Sequence, residues 1–216
     1  MLFDHDGTLV DSIPVIVAAT NQVFAARGLP RLGADEIVPG MVLPTGQRLG
    51  RHFAVSDPTK QRELALAFYA AARELGPGLA SLYPHVFDAL EELAASGLRL
   101  AVVSNNEGVF VRAVTSALGI ARHFATILGE EDMPAPKPDP RGALLAAERM
   151  GLAPAACCFV GDSRPDAETA AGAGMRSIGV TWGTHAREQM SDMGFTALVD
   201  DVAGLRAQIA AWADGL

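Results

Sequence analysis

Cysteines and basic residues are scarce in this chain of 216 residues. The two cysteines, Cys157 and Cys158, are adjacent, and neighbours in a strand point to opposite faces, so a disulfide between them would be strained. We therefore expect reduced thiols and a cytoplasmic protein. With 17 basic and 25 acidic residues, the net charge is −8, which speaks against general binding to nucleic acid or to anionic lipid.

Long hydrophobic runs are also missing. No apolar run reaches the length of a membrane span, and the first residues show no basic segment followed by an apolar stretch, so we expect neither a membrane segment nor a secretory leader. The P-loop, H-E-x-x-H and G-x-S-x-G motifs are absent, which leaves kinase, zinc-protease and serine-hydrolase hypotheses without support. Half of the residues (50%) are hydrophobic, which is enough to form a sizeable core.

The second part of the chain alternates short apolar runs with amphipathic segments. Strands are predicted at 98–103, 125–128, 157–160, 177–180 and 197–199, and helices at 109–118, 139–150, 165–173 and 202–212. Asp139 and Pro140 are predicted to be the N-cap and the first residue of their helix. Strands that alternate with helices favour an α/β fold, here a Rossmann-like parallel sheet with helices on both faces.

The first part of the chain has a different pattern. Between residues 13 and 82 the periodicity is helical and no strand is convincing; helices are predicted at 13–27 and 60–75. The Gly-Pro-Gly sequence at 76–78 predicts the end of the second of these helices. We therefore expect two domains, an α/β core made of residues 1–12 and 83–216, and an inserted α-helical cap made of residues 13–82.

Two carboxylates follow the first apolar residues of the chain. Asp4 and Asp6 are two positions apart, so in an extended segment they face the same side, and Gly7 permits the sharp turn that follows. Such a pair can divide its work, with one carboxylate as a nucleophile and the other holding a proton for the leaving group. Three residues precede Asp4, fewer than the roughly five or six of an average strand, so we expect the natural chain to start further upstream.

Two further segments offer groups that bind phosphate. Ser104 and Asn105 directly follow a predicted strand, where a hydroxyl and backbone N–H groups can bind phosphate oxygens. Lys137 lies between Pro136 and Pro138, which stiffen the backbone around a positive point charge. In open α/β sheets ligands bind at the carboxyl ends of the strands, so these residues could meet Asp4 and Asp6.

A second pair of carboxylates, Asp162 and Asp166, follows the strand predicted at 157–160. Together with Asp4 they would form a cluster that could not stay ionised without a cation. Mg²⁺ prefers oxygen ligands and often bridges to phosphate. Asp166 has a structural alternative, because it could cap the helix that starts near Pro165.

In their order and placement these segments resemble the haloacid dehalogenase superfamily of phosphatases, in the branch with a helical cap and, within it, the phosphoglycolate phosphatases. The resemblance covers essentially the whole chain. The stretches that carry it are DHDGTLVDS at 4–12, LYP at 82–84, VVSN at 102–105, KP at 137–138, GDSRPD at 161–166 and IGVTWG at 178–183.

The resemblance implies a role for each matching residue. Asp4 would attack phosphorus, and Asp6 would act as general acid and then as general base. Asp4 and the carbonyl group of Asp6 would also bind Mg²⁺, with Asp162 as a further ligand. The other roles implied are phosphoryl binding by Ser104, neutralisation of charge by Lys137, and a direct or water-mediated metal contact by Asp166. The presence of Asp6 argues against a dehalogenase, since haloacid dehalogenases lack that aspartate.

The substrate would be a small phosphorylated metabolite, and the protein a monomer or homodimer. Within the expected cap, Arg48, Arg51 and His52 could hold a carboxylate or second phosphate of the substrate, although such residues are more often solvated surface. His5 is interpreted as structural or substrate-gating. Two other functions stay open: a phosphomutase resembling β-phosphoglucomutase, and a non-catalytic binding or regulatory module on the same scaffold.

Overall fold

The structure is a computed structural model that describes residues 1–213. Its strands are β1 (Leu2–Phe3), β2 (Val10–Asp11), β3 (Ser81–Leu82), β4 (Leu100–Val103), β5 (Phe124–Leu128), β6 (Cys158–Gly161), β7 (Arg176–Val180) and β8 (Ala197–Val199). Six of them form one parallel sheet in the order β5-β4-β1-β6-β7-β8. The other two, β2 and β3, pair antiparallel.

Helices account for most of the remaining described residues. They are α1 (Ile13–Ala25), α2 (Ala34–Ile37), α3 (Thr45–His52), α4 (Pro58–Leu79), α5 (Val86–Ala95), α6 (Gly108–Ala117), α7 (Arg141–Arg149), α8 (Arg164–Gly172), α9 (Arg187–Met190) and α10 (Val202–Ala213). Short 3-10 turns cover Val38–Val42, Ala121–His123, Glu130–Asp132 and Pro154–Ala156. Within residues 1–213, no helix combines the length and the apolar character that crossing a membrane requires.

The two residues of β1 show how the sheet is covered. Leu2 belongs to a buried cluster with Ala143 and Ala146 of α7. Phe3, on the opposite face, borders a small apolar space together with residues of α5 and α10, among them Leu90 and Leu205. Burial of a side chain of this size contributes roughly 1.5–3 kcal/mol, so β1 is held from both sides although it is short. The predicted fold class, a parallel α/β sheet covered by helices, is confirmed.

The chain divides into two compact units. One contains Met1–Asp11 together with the chain from Ser81 onward, and the other is Ser12–Ala80. Within the second unit, α1 and α3 both pack against α4, and the rings of Phe24 and Phe53 lie 4.6 Å apart. This unit contains no strand within its described residues. Its role as a cap domain remains a prediction.

Three local expectations are wrong. Helix α4 continues through Gly76–Gly78 to Leu79, because glycine accepts helical dihedral angles and Pro77 removes only one donor from a helix of 22 residues. Helix α7 begins at Arg141 with Pro140 as its N-cap; Asp139 lies one residue before that cap, yet its Oδ1 still accepts from the Arg141 N–H at 2.9 Å. Strand β3 lies in a region where no strand is convincing from sequence, since two residues are too few to show alternation.

Candidate active site

The predicted site residues of the first unit follow four adjacent strands of the sheet. Asp4 follows β1, Ser104 follows β4 and Asp162 follows β6, while Lys137 lies in the loop between β5 and α7. Because β5, β4, β1 and β6 are neighbours and run parallel, their carboxyl ends meet at one edge of the sheet. The chain also reverses its strand order at β1, which is where such folds bind ligands.

Lys137 connects two of the carboxylates. Its Nζ lies 2.7 Å from Oδ1 of Asp4 and 2.6 Å from Oδ1 of Asp166. All three side chains are buried, and the lysine side chain is only 3% exposed. Burial alone would lower the pKa of Lys137, but Asp166 and Asp4 outweigh it and raise that pKa, so the ammonium stays charged.

Asn105 holds the backbone of Lys137 in place. The Asn105 side chain donates from Nδ2 to the Lys137 carbonyl oxygen at 2.9 Å and accepts at Oδ1 from the Lys137 N–H at 2.6 Å. This reciprocal pair joins the loop after β4 to the loop after β5. The sequence predicted Asn105 as a substrate ligand, and the structure shows that its side chain has a positioning contact.

The Asp162 carboxylate is oriented by two threonines. Thr8 Oγ1 donates to Oδ1 at 3.2 Å, and the Thr184 N–H donates to Oδ2 at 3.0 Å, together with the Thr184 hydroxyl. Glycines make room for this carboxylate: a Cβ atom at Gly7 would clash with Oδ2 of Asp162, and one at Gly183 would clash with the Gly7 carbonyl oxygen. Gly7 also has a φ of +80°, which glycine accepts without strain.

Asp166 has a structural contact as well as its contact with Lys137. Its Oδ2 accepts from the N–H of Ser163 at 3.0 Å and from the Ser163 hydroxyl at 2.6 Å, so it completes a capping box at the start of α8. Both oxygens of Asp166 therefore have protein donors. This favours a role in fixing Lys137 and the local charge over a direct bond to a metal ion.

Three buried carboxylates lie close enough to share a cation. One oxygen each of Asp4, Asp162 and Asp166 lie within 4.8 Å of one another. Burial, and then the neighbouring Asp166 carboxylate, raises the pKa of Asp162. Burial also raises the pKa of Asp4 well above its usual range, although Lys137 opposes the shift. Such a cluster of hard oxygen ligands fits a divalent cation of the Mg²⁺ type.

Asp6 lies beside this cluster and is more accessible, with 21% of its side chain exposed. Asn106 donates from Nδ2 to Oδ2 of Asp6 at 3.1 Å. The Asn106 N–H in turn donates to Oγ of Ser104 at 3.0 Å. Ser104 and Asp6 are therefore linked through one asparagine, and Ser104 itself is buried directly after its strand.

Arg48 belongs to the second unit and is described within it. The residue is buried, with its guanidinium carbon 4.9 Å from the centre of the Phe68 ring. Burial lowers the pKa of Arg48 to about 10. Arg51 is exposed, and the His52 ring packs edge-on against Phe24 at 5.9 Å. Substrate binding by these residues remains a prediction.

Several residues that shape the site were missed by the sequence analysis. Thr8 and Thr184 orient Asp162, Asn106 contacts Asp6, and Gly183 provides the space beside Gly7. Thr8 and Gly183 lie inside segments that carry the family resemblance, so the segments were found without the function of these residues. Thr184 lies one residue beyond the segment at 178–183, so the resemblance did not single it out.

Comparison with known proteins agrees with this architecture. Residues 1–180 match the family model of the haloacid dehalogenase-like hydrolases. The chain is 35% identical over 205 residues to a phosphoglycolate phosphatase of Escherichia coli strain K12, covering 84% of this chain and 80% of that protein. It is 30% identical over 212 residues to phosphoglycolate phosphatase 1 of Pseudomonas aeruginosa, covering 95% of this chain and 77% of that protein.

A solved structure gives the same result for the fold. The crystal structure of a predicted phosphoglycolate phosphatase from Haemophilus somnus 129pt superposes with a TM-score of 0.85 at 28% identity, covering 96% of both chains. The chain thus belongs to the haloacid dehalogenase-like hydrolases. The prediction of a phosphatase of this superfamily is confirmed by the family match and these relatives.

Proposed function

We propose that this phosphatase hydrolyses a small phosphomonoester in a Mg²⁺-dependent reaction, through a covalent aspartyl phosphate on Asp4. The observation that carries the proposal is the contact of the Asp4 carboxylate with the buried ammonium of Lys137, 2.7 Å away, beside two further carboxylates. Phosphoryl transfer requires alignment of the reacting atoms and neutralisation of charge, and this arrangement supports both.

In the first step an Asp4 oxygen attacks phosphorus and the bond from phosphorus to the leaving oxygen breaks. Asp4 is prepared for this, because its Oδ1 accepts from the His5 N–H at 2.7 Å and contacts Lys137, which fixes the carboxylate. Asp6 donates its proton to the leaving oxygen, which departs as an alcohol. Ser104 and the N–H groups near it bind oxygens of the transferred phosphoryl group.

In the second step water attacks the phosphorus of the aspartyl phosphate. Asp6, now a carboxylate, accepts the proton of this water, and phosphate leaves as the Asp4 carboxylate is restored. Lys137 remains charged throughout and offsets negative charge on Asp4 and on the phosphoryl oxygens.

The residues present fit a bound Mg²⁺, because Lys137 offsets only one of the negative charges that three buried carboxylates carry when ionised. We propose that Asp4, the Asp6 carbonyl group and Asp162 hold the ion, with Asp166 acting through its contacts to Lys137 and Ser163. When bound, the ion would neutralise charge on the phosphoryl group and on the nucleophile. The Thr8 and Thr184 contacts pre-orient Asp162 for this task.

For the substrate we propose a phosphoglycolate-like molecule, a small phosphate ester with a second anionic group, because the relatives from Escherichia coli and Pseudomonas aeruginosa are phosphoglycolate phosphatases. Arg48 is the proposed partner of that second group. Arg48→Met should raise KM for phosphoglycolate far more than for 4-nitrophenyl phosphate, which has no carboxylate.

The proposal is tested by phosphate release from both substrates, with Mg²⁺ and with EDTA, using wild type, Asp4→Asn and Asp200→Asn. Asp200 is an exposed aspartate on the same unit, 63% exposed in its side chain and paired with Arg187, and serves as the matched control. Asp4→Asn should abolish turnover, while Asp200→Asn should retain it.

The covalent step has its own readout. Borohydride reduces an acyl phosphate to an alcohol, so reduction during turnover should convert Asp4 to homoserine. Peptide mass spectrometry detects this change at position 4. Turnover that persists in EDTA, or in Asp4→Asn, would contradict the proposal. Wild-type interconversion of sugar phosphates without phosphate release would indicate the phosphomutase instead.

A further inference from the structure

His5 is a buried polar side chain that lies in contact with the carboxylate of Asp6. His5 lies between Asp4 and Asp6 and is fully buried, at 0% exposure. Its ring packs edge-on against Phe110, with the centroids 6.0 Å apart. Its Nδ1 lies 3.2 Å from Oδ1 of Asp6. Within residues 1–213, neither ring nitrogen of His5 makes a hydrogen bond with good distance and angle. The contact with the Asp6 oxygen is therefore the polar contact from which a function of the ring can be argued.

The backbone of His5 is fixed independently of the ring. Its N–H donates to Oδ1 of Asp4 at 2.7 Å. Its carbonyl oxygen accepts from the N–H groups of Leu9 and Val10, at 3.1 and 3.0 Å. These bonds close the turn after β1 and so fix the Cα position of His5. The packing against Phe110 then orients the ring toward Asp6.

The other oxygen of Asp6, Oδ2, accepts a hydrogen bond. Asn106 contacts Oδ2 at 3.1 Å while its own N–H is bonded to Ser104. His5 comes from the end of β1 and Asn106 from the end of β4, so the two contacts reach the carboxylate from neighbouring strands. Contacts on both oxygens define the plane of the carboxylate.

A purely structural role would not need a polar ring. An apolar side chain packs against Phe110 equally well and avoids the cost of burying imidazole nitrogens away from water. A hydrogen on Nδ1 would give the ring a function, because Oδ1 of Asp6 lies 3.2 Å from that nitrogen. The tautomer of a histidine is set by such a partner.

We propose that His5, together with Asn106, is a positioning residue for Asp6, holding the carboxyl group in the orientation that delivers its proton to the leaving oxygen. The inference rests on the proposed function, in which Asp6 is the general acid. It goes further by assigning that alignment to one buried ring and one amide.

The test uses the leaving group. 4-Nitrophenolate departs without protonation, whereas the alkoxide of an alkyl phosphate needs the proton of Asp6. We therefore compare kcat/KM, which reports the phosphoryl transfer to the enzyme, for 4-nitrophenyl phosphate and for an alkyl phosphate that the wild type turns over. His5→Phe should lower kcat/KM for the alkyl phosphate by about tenfold or more, within the range of general acid catalysis, and much less for the nitrophenyl ester.

Isosteric variants separate the two ring nitrogens. The amide of asparagine places a donor near the position of Nδ1, and that of glutamine near Nε2, so His5→Asn should recover the alkyl phosphate rate and His5→Gln should not. Asn106→Ala should repeat the selective loss. Leu90→Ala, a buried residue of α5, is the control for lost packing and should reduce both rates alike or neither.

Each outcome is decisive. Equal losses on both substrates in the His5 and Asn106 variants, or equal rates for His5→Asn and His5→Gln, would overturn the inference and leave the proposed function standing. If the wild type turns over neither ester with Mg²⁺, the proposed function fails and the inference falls with it. If His5→Phe does not fold, the asparagine and glutamine pair still decides.

Discussion

Lys137 and Asp4 form a buried ion pair, with Nζ 2.7 Å from Oδ1, although they are 133 positions apart in a chain where Lys137 is one of only two lysines. The lysine is held by Asn105 from the neighbouring loop and by Asp166 from the start of α8. The proposed nucleophile is therefore accompanied by a cation whose position depends on three separate segments. The predictions below follow from this arrangement.

Replacement of Lys137 by methionine should abolish most activity and also weaken the fold. It leaves two buried carboxylates without their cation, and breaking such a pair typically costs about 3–5 kcal/mol. We expect kcat to fall by about a hundredfold or more, as for other losses of transition-state charge stabilisation. Steady-state kinetics and urea unfolding without Mg²⁺ measure both effects.

Lys60→Met is the matched control, because Lys60, the other lysine, is exposed on α4. It should leave kcat and the unfolding midpoint unchanged. A Lys137→Met enzyme with wild-type kcat would contradict the role of Lys137 in neutralising charge.

The stability of the metal-free protein should fall as the pH rises. Burial raises the folded-state pKa of Asp4 and of Asp162 above the ordinary value of 3.8. Between the unfolded and the folded pKa the folded state binds more protons, so the free energy of unfolding decreases as pH increases across that window. Melting temperatures in EDTA, measured from about pH 5 upward, should decrease more steeply for wild type than for Asp162→Asn.

Added Mg²⁺ should reverse this trend, because it binds the ionised carboxylates of the folded state. An ion present at a hundred times its Kd stabilises the fold by about 2.7 kcal/mol. The Mg²⁺ concentration at half-maximal stabilisation should fall as pH rises, since protons compete for the same oxygens. A melting temperature that does not respond to Mg²⁺ in wild type would contradict the proposed metal site.

Gly7→Ala should damage the metal site more than the fold. The added methyl group would enter the space of the Asp162 carboxylate, and φ at Gly7 is +80°. Gly97→Ala is the matched control: its φ is +85° and no atom lies within 4 Å of the added Cβ, so it carries the backbone strain alone. Both variants should lose about 1 kcal/mol or somewhat more of stability.

Only Gly7→Ala should also raise the Mg²⁺ concentration needed for activity, because it displaces Asp162. Titration of Mg²⁺ against initial rate separates the two variants. The same Mg²⁺ dependence in both would show that strain, and not the displaced carboxylate, explains the loss.

The features that could be predicted from sequence are those that depend on residues close together in the chain. The alternation of apolar runs and amphipathic segments after residue 98 depends on neighbours two to four positions apart, and it predicted the α/β class correctly. Asp4 and Asp6 are recognisable as a pair for the same reason. Errors fell where local signals compete, as at Gly76–Gly78, where helix α4 continues through a sequence typical of a break.

The tertiary structure decided what depends on distant partners. Residue types and their order along the chain were enough for the sequence to determine the family, the fold class and the list of candidate residues. The strand order β5-β4-β1-β6-β7 brings Lys137 to Asp4, Thr184 to Asp162 and Asn106 to Asp6, and no spacing along the chain encodes these pairs. The direction in which a buried side chain such as His5 makes its polar contact depends on packing from elements far away in sequence, and for that reason it became visible only in the folded chain.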